Sequence, residues 1–383
     1  MKKFRILIVV LLTSALFMTG CTFGGGGAAT PTGPPEQGQG PRDVDPGLAG
    51  QLQSYLDQAV KEYAVPGAVL SIITSNNQYW TGSSGVADLE TNRKLEPTYR
   101  FRIGSITKTF VALLMLQQVQ DGKLTLDDAI DKFYPGLVKG GDKITVRLLL
   151  NHSSGLYDYL NEPTSTFMKQ AAANKEKMWD PADIVATTNN DPRYFDPGKG
   201  WHYSNTNYLV VGLILEKVSG TTIENLIQRR IILPLGLDNT FFSWATRLSE
   251  PFARGYVENE GKLVDVTFIN SNLSPFWTAG NMVSVASDVK TWALALQKGA
   301  LLNEAMRKEM YTFLDTGMGF SYGLGLAYRD GLYWHDGGIP GYTSEMGFSP
   351  SGNAVIVLLT NRTETPSKPF FDIVKNLIPL VGK

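Results

Sequence analysis

Phe101-Arg102-Ile103-Gly104-Ser105-Ile106-Thr107-Lys108-Thr109-Phe110 runs straight into the apolar stretch Val111-Ala112-Leu113-Leu114-Met115-Leu116. The pattern predicts a buried helix that begins near Ser105. A serine and a lysine three apart share one helix face, a single turn from each other. A serine at the helix start meets unpaired backbone N–H groups, which favour developing negative charge. A lysine pressed into an apolar wall holds its proton less tightly. That combination activates a serine nucleophile without a histidine and makes the stretch a candidate serine acyl-transfer centre. A second Ser-x-x-Lys match, Ser287-Asp288-Val289-Lys290, reads as an ordinary helix start, with Ser287 as N-cap and Trp292, Leu294 and Leu296 following.

Upstream, apolar residues recur at helical spacing over 48–63 and end at Pro66-Gly67. Two strands are expected over 68–74 and 78–82, joined by the turn Ser75-Asn76-Asn77. Downstream, residues 105–310 carry a mainly helical pattern. Short apolar runs over 322–328, 332–335, 344–348 and 354–360 then read as strands. A last amphipathic helix is expected to carry Phe370, Ile373, Val374, Leu377 and Ile378. The two ends of the body are thus helix plus strand, and the middle is helical. The expected fold is α/β (α+β): one antiparallel sheet from both ends, 48–104 and 311–383, flanked by helices, with 105–310 inserted as a mainly helical subdomain.

The N-terminus reads as a targeting segment. Lys2, Lys3 and Arg5 precede an apolar run over 6–17, and Met18-Thr19-Gly20-Cys21 follows. Small-small-Cys after an apolar core resembles a bacterial lipoprotein cleavage site, with Met18 where leucine is usual. Residues 1–21 are therefore expected to be a lipoprotein signal segment with lipidation at Cys21. Residues 22–47, rich in Gly and Pro, are expected to be a flexible tether spanning roughly 30 Å as a random coil. The protein is expected to be exported and membrane-anchored through that lipid, facing outside the cytoplasm. Cys21 is the only cysteine, which excludes an intramolecular disulfide. The net charge is -1 with no long charged block, so no nucleic-acid partner is expected. The three histidines, His152, His202 and His335, lie far apart and form no metal-ligand pair; no metal and no cofactor are expected. A monomer is expected.

Two further stations bear on Ser105. Tyr203-Ser204-Asn205 sits in a turn-rich lead into a helix. A phenol has an ordinary pKa near ~10, and a neighbouring ammonium would favour phenolate. Asn205 offers a donor and an acceptor suited to a substrate amide. Tyr159-Leu160-Asn161 is a decoy of the same pattern. His335-Asp336-Gly337 closes a strand and precedes Gly338, where a glycine-rich edge admits a substrate backbone and an N–H for an oxyanion.

Ser-x-x-Lys, Tyr-x-Asn and His-x-Gly in this order resemble the penicillin-recognising serine hydrolases. That superfamily holds class C β-lactamases, D-alanyl-D-alanine carboxypeptidases and D-stereospecific peptidases. I-T-V-R-L-L-L-N-H-S-S-G-L-Y-D-Y from Ile144 and Y-G-L-G-L from Tyr322 fit the same group, and the resemblance covers residues 49–381. It implies a β-lactamase/transpeptidase-like fold. It implies Ser105 as nucleophile, Lys108 as the tuner of proton transfers and Tyr203 as general base, then acid. Asn205 would hold the acyl-side amide, and the N–H groups of Ser105 and Gly338 would form the oxyanion hole. His335 would keep a partly positive edge where other branches use lysine. His152 is expected to be structural, and His202 to orient its loop at most. The implied substrates are D-amino-acid peptides of the cell-wall type, amides or esters, and β-lactams.

Two departures blur the substrate. Ala327 stands where carboxypeptidases often place an arginine for the substrate carboxylate, and Arg329, two further on, is the expected substitute. Asp336 stands where Thr or Ser is common, and an ionised Asp336 would repel an anionic substrate end. The implied reaction is that of a D,D-carboxypeptidase or D-stereospecific peptidase, with a class C-like β-lactamase or esterase/amidase as the alternative. A membrane-tethered penicillin sensor is the non-enzyme alternative. Gly319-Phe320-Ser321-Tyr322-Gly323 also matches a nucleophile elbow, but strand residues follow it where the elbow needs a helix.

Overall fold

The strand Val355–Thr360 lies between Gly67–Ile73 and Tyr342–Phe348, so an early and a late segment of the chain meet in the middle of one sheet. The computed structural model describes residues 42–243, 248–268, 273–350, 354–363 and Leu377. From edge to edge the sheet runs Arg42–Asp43, Gln78–Asp88, Gly67–Ile73, Val355–Thr360, Tyr342–Phe348, Leu332–Ile339, Ala327–Arg329, Ser321–Tyr322 and Leu314–Asp315. All neighbours on this path are antiparallel except the outermost pair, Arg42–Asp43 on Gln78–Asp88. Leu70 stands opposite Leu358, and Val357 opposite Met346.

The pleat sorts side chains between two layers. Ala68, Leu70, Ile72, Ile356 and Leu358 pack with Leu52, Leu56 and Ala59 of the helix Pro46–Glu62. Val69, Ile73, Val355, Val357 and Leu359 point the other way, into the main core. There the helices Thr107–Gln120 and Ala286–Gln297 meet them. The helix Thr107–Gln120 is buried on nearly every side, which is why its sequence is apolar all round. Trp292 ties it to Ala286–Gln297: the indole stacks on Phe110 at 4.0 Å and donates from Nε1 to Thr109 Oγ1 at 2.7 Å.

Several expectations are corrected here. The tether expected to reach residue 47 stops earlier. Arg42–Asp43 pairs with the sheet, Val44 is buried, and Asp45 caps the first helix by accepting from Leu48 N at 3.0 Å. The middle segment, expected to be mainly helical, also carries short strands. Phe101–Arg102, Met282–Ser284 and Phe241–Phe242 form a small sheet, and Tyr256–Asn259 pairs with Lys262–Asp265. The helix Ala286–Gln297 lies against the main sheet, so residue 310 does not divide the layers. Ser287 is not that helix's N-cap. Val285 holds the cap position, and the Ser287 carbonyl already accepts from Thr291 Oγ1 at 3.0 Å.

The strand expected over 322–328 is broken into a hairpin, with Tyr322 opposite Ala327. Gly325 turns the chain at φ +86, and a Cβ there would lie 2.4 Å from the Ala112 Cβ of the Ser105 helix. Ser321 therefore opens a two-residue strand that leads into this turn and not into a helix, which removes the nucleophile-elbow reading. The signal segment with Cys21, the tether up to residue 41 and the last helix apart from the buried Leu377 lie outside the described residues.

Trp292→Ala removes the stacked ring and the buried hydrogen bond that join the helix Thr107–Gln120 to Ala286–Gln297, which lies against the sheet. It is expected to cost about 3–5 kcal/mol in urea unfolding. A loss below about 1 kcal/mol would contradict this packing account.

Candidate active site

Ser105 lies in the tight turn Gly104–Ile106 that opens the helix Thr107–Gln120. The helix carries Lys108 into the core, one turn along the same face. Its ammonium is fully buried, and Nζ has three acceptors: Ser105 Oγ at 2.9 Å, Asn205 Oδ1 at 2.9 Å and the Ala279 carbonyl at 2.5 Å. Burial strips water from the charge and lowers the Lys108 pKa to about 7, while the carboxylates of Asp158 and Asp336 oppose the fall. Near neutral pH this amine is therefore divided between its charged and neutral forms.

Tyr203 comes from the loop before the helix Asn205–Ser219. Its phenol is hydrogen-bonded to the Ser105 side chain, and the Lys108 Nζ lies 4.9 Å from its ring centre. Hydroxyl, amine and phenol thus converge from residues 105, 108 and 203. Burial pushes the phenol well above its ordinary pKa, offset only in part by the bond to Ser105. Tyr203 is accordingly held as a neutral O–H, which makes it a poor proton acceptor.

The Tyr203 ring is held from beneath by His152, ring centres 4.3 Å apart. Ser204 N donates to His152 Nδ1 at 3.2 Å, and Asn207 Nδ2 lies 3.1 Å from the same atom. His152 is buried and neutral, its pKa driven well below the usual imidazole range by burial and then by Lys108. His202 stacks on Tyr194 with its Nδ1 2.9 Å from the Tyr203 carbonyl.

Asn205 does not face a substrate amide as expected. It is buried, Oδ1 accepts from Lys108, and Nδ2 donates to Asp158 Oδ1 and Oδ2 at 3.2 and 3.1 Å. Asp158 is a residue that sequence reasoning passed over. The one available signal was an acidic residue at the end of Asn151-His152-Ser153-Ser154-Gly155-Leu156-Tyr157-Asp158, a run with no other acidic residue. In the decoy, the Tyr159 hydroxyl donates to the Pro275 carbonyl and Asn161 Nδ2 donates to Asp158 Oδ2 at 2.8 Å, so neither reaches Ser105.

The strand Leu332–Ile339 closes the other side. His335 Nδ1 lies 2.6 Å from the Asp336 carbonyl and must donate to it, so Nε2 accepts from the Tyr322 hydroxyl at 3.0 Å. Burial and then Lys108 lower its pKa to about 3. The positive edge expected of His335 is therefore absent: the ring is a neutral link between strand and hairpin. Gly337 also serves the fold. A Cβ there would sit 2.1 Å from the Ile103 carbonyl, which accepts from Ser344 Oγ at 2.8 Å. The strand can press on the turn before Ser105 only because position 337 is bare. Gly338 is exposed with open space around it, and its N lies 2.8 Å from where a Gly104 Cβ would be. That brings its backbone beside the Ser105 turn.

Asp336 is half-buried and close enough to influence Lys108, Tyr203 and Tyr322. Burial raises its own pKa, opposed by its own backbone N–H and by Lys108. Arg329 does not join the site. It stands opposite Leu332 at the far end of the hairpin, pairs with Asp330 at 3.2 Å and is exposed. Five residues separate Leu332 from Gly337, about 17 Å of strand.

A family profile described as Beta-lactamase matches residues 52–375. The D-stereospecific amidohydrolase from Streptomyces sp. is similar at 32% identity and TM-score 0.73, over 81% of this chain and 94% of that one. A D-amino acid amidase from Ochrobactrum anthropi SV3, complexed with L-phenylalanine, is 26% identical at TM-score 0.75, over 86% and 99% of the two chains. Penicillin-binding protein 4* of Bacillus subtilis (strain 168) is 28% identical over 333 residues, 82% of this chain and 72% of that protein.

Gly337→Ala and Gly338→Ala separate the two glycines. The first is expected to cost about 1–3 kcal/mol, because the strand must back away from Ile103. The second is expected to stay within about 0.5 kcal/mol. Equal losses in urea unfolding would contradict the contact.

Proposed function

The chain belongs to the beta-lactamase family of serine hydrolases, and from that premise we propose that it hydrolyses D-amino-acid amides and peptides through an acyl-Ser105 intermediate. The observation that carries the reading is the 2.9 Å contact between Lys108 Nζ and Ser105 Oγ, made by a buried amine whose pKa is about 7. Ser105 Oγ attacks the substrate carbonyl carbon, and its proton passes to the neutral Lys108 amine. The Tyr203 phenol gives its proton to the leaving nitrogen as the C–N bond breaks and takes one back from the Lys108 ammonium. Water then attacks the ester, with the same groups moving its proton in reverse. The N–H groups of Ser105 and Gly338 hold the oxyanion.

Asp336 and Arg329 favour an amidase or peptidase over a carboxypeptidase. A carboxylate in the cleft disfavours a carboxylate on the substrate, and the arginine that would offset it lies on the far side of the hairpin. The relatives named for D-stereospecific amidohydrolase and D-amino acid amidase activity support the same direction. We also propose the lipoprotein segment and lipidation at Cys21, on the strength of the sequence pattern.

A panel of D-phenylalanine amide, a D-Ala-D-Ala peptide, nitrocefin and a short ester tests this. The amide is expected to be turned over faster than the free-carboxylate peptide, and Ser105→Ala to abolish every activity. Asp336→Thr is expected to narrow the gap between amide and peptide. Retained hydrolysis in Ser105→Ala, or preference for the free-carboxylate peptide, would overturn the reading. A lysine with lowered pKa is charged below that value and neutral above it. The kcat/KM for the amide is therefore expected to rise with pH through about 7. A flat profile from pH 5 to 9 would remove Lys108 as base.

A further inference from the structure

We propose that Asp158 is the positioning residue that aims the Lys108 amine at Ser105, an inference that rests on the reading of Ser105 as nucleophile. An amide side chain accepts at one end and donates at the other, and its two orientations fill the same space. Asn205 sits between Lys108 and Asp158, so its orientation decides what the amine meets. Burial raises the Asp158 pKa, while the donors from Leu160, Asn205 and Asn161 and the charge of Lys108 favour the ionised form, which only accepts. With Asp158 Oδ1 and Oδ2 at 3.2 and 3.1 Å, Nδ2 is drawn to the carboxylate and Oδ1 is left for Lys108 at 2.9 Å.

The consequence falls on the nitrogen lone pair. Asn205 Oδ1 and the Ala279 carbonyl are pure acceptors, and each takes one N–H of Lys108. The remaining direction points at Ser105 Oγ. It carries the third N–H when the amine is charged and the lone pair when it is neutral. A reversed Asn205 would present Nδ2 to the amine, and that donor would draw the lone pair away from the serine.

Asp158 is itself held in place. It is buried, and it accepts from Leu160 N at 3.0 Å and Asn161 Nδ2 at 2.8 Å besides Asn205. The preceding carbonyl, Tyr157, accepts from Ser204 Oγ at 3.3 Å and Thr206 Oγ1 at 2.6 Å, which docks the segment on both sides of Asn205. The other ionisable groups around Lys108 are Asp336, Tyr203, Tyr208, His152 and His335. Among the described residues, none of these is a hydrogen-bond partner of Asn205.

Asp158→Asn keeps the shape, removes the charge and sets an NH₂ group among donors. In the full chain, with D-phenylalanine amide, kcat is expected to fall about 100-fold while KM stays within about threefold. The acid limb of kcat/KM is expected to move to lower pH, because the ammonium loses an attractive charge. Exchanging the pair, Asp158→Asn with Asn205→Asp, restores one carboxylate and one amide in reversed places. It is expected to recover at least about tenfold of kcat and to return the acid limb toward higher pH. An Asp158→Asn enzyme with unchanged kcat and acid limb would overturn the proposal, as would a folded exchange variant no better than the single one. Where the single variant does not fold, the exchange variant decides. Folded and within tenfold of the parent supports the proposal; folded and inactive, or unfolded, overturns it. Mass spectrometry of the parent after a fluorophosphonate separates the two levels. Without an adduct on Ser105 the nucleophile assignment fails, whereas an adduct with the outcomes above removes Asp158 alone.

Discussion

A fully buried lysine beside a serine is the constraint around which this molecule is arranged. Taking an ammonium out of water is costly unless hydrogen bonds and opposite charge surround it. Here the cost is met by three acceptors on Nζ and by two nearby carboxylates, Asp158 and Asp336. The compensation is partial, and that is its use. Burial outweighs attraction, so the proton is held loosely near pH 7. The same burial works on the neighbours in the opposite sense: it keeps the Tyr203 phenol protonated and the imidazoles of His152 and His335 neutral. Burial thus lowers the pKa of the amine and the imidazoles and raises that of the phenol and of the carboxyls of Asp158 and Asp336.

The sheet holds this pocket shut from one side. Leu332–Ile339 presses on the turn before Ser105 through the bare Gly337, while the hairpin at Gly325 presses on Ala112 two turns along the same helix. Trp292 fixes the opposite face of that helix. Ser105 therefore opens a helix wedged between a strand edge and a second helix, which limits its freedom to drift from Lys108 and Tyr203. Precision of this kind is what acyl transfer asks of a scaffold.

Much of this was legible in the sequence because it was written in periodicity. Short apolar runs over 68–74 and 354–360, bounded by turn residues, and an apolar run after Lys108 lead to buried strands beside a buried helix. The convergence of residues 105, 108 and 203 was expected from motif order, and the structure places those three side chains together. What escaped depends on contacts between distant segments. Asn205 looked like a substrate ligand because its partner Asp158, 47 residues away, has no signature of its own. Gly337 looked like a substrate-facing glycine, yet it is bare for the sake of Ile103. The run from Tyr322 looked like one strand, since a composition rich in Gly and Leu does not reveal that Gly325 takes a positive φ. Arg329 was placed near the site by assuming that strand continued, and it fell away with the hairpin.

The charge state of Lys108 can be read directly. Selective isotope labelling of lysine side chains, with Lys108→Met to assign the signal, would follow the Lys108 Cε shift against pH by NMR. The account predicts a midpoint near 7, far below the ordinary lysine value of 10.5. A Lys108 signal that remains that of an ammonium up to about pH 10 would contradict it, for the amine would then hold its proton too tightly to accept one from Ser105.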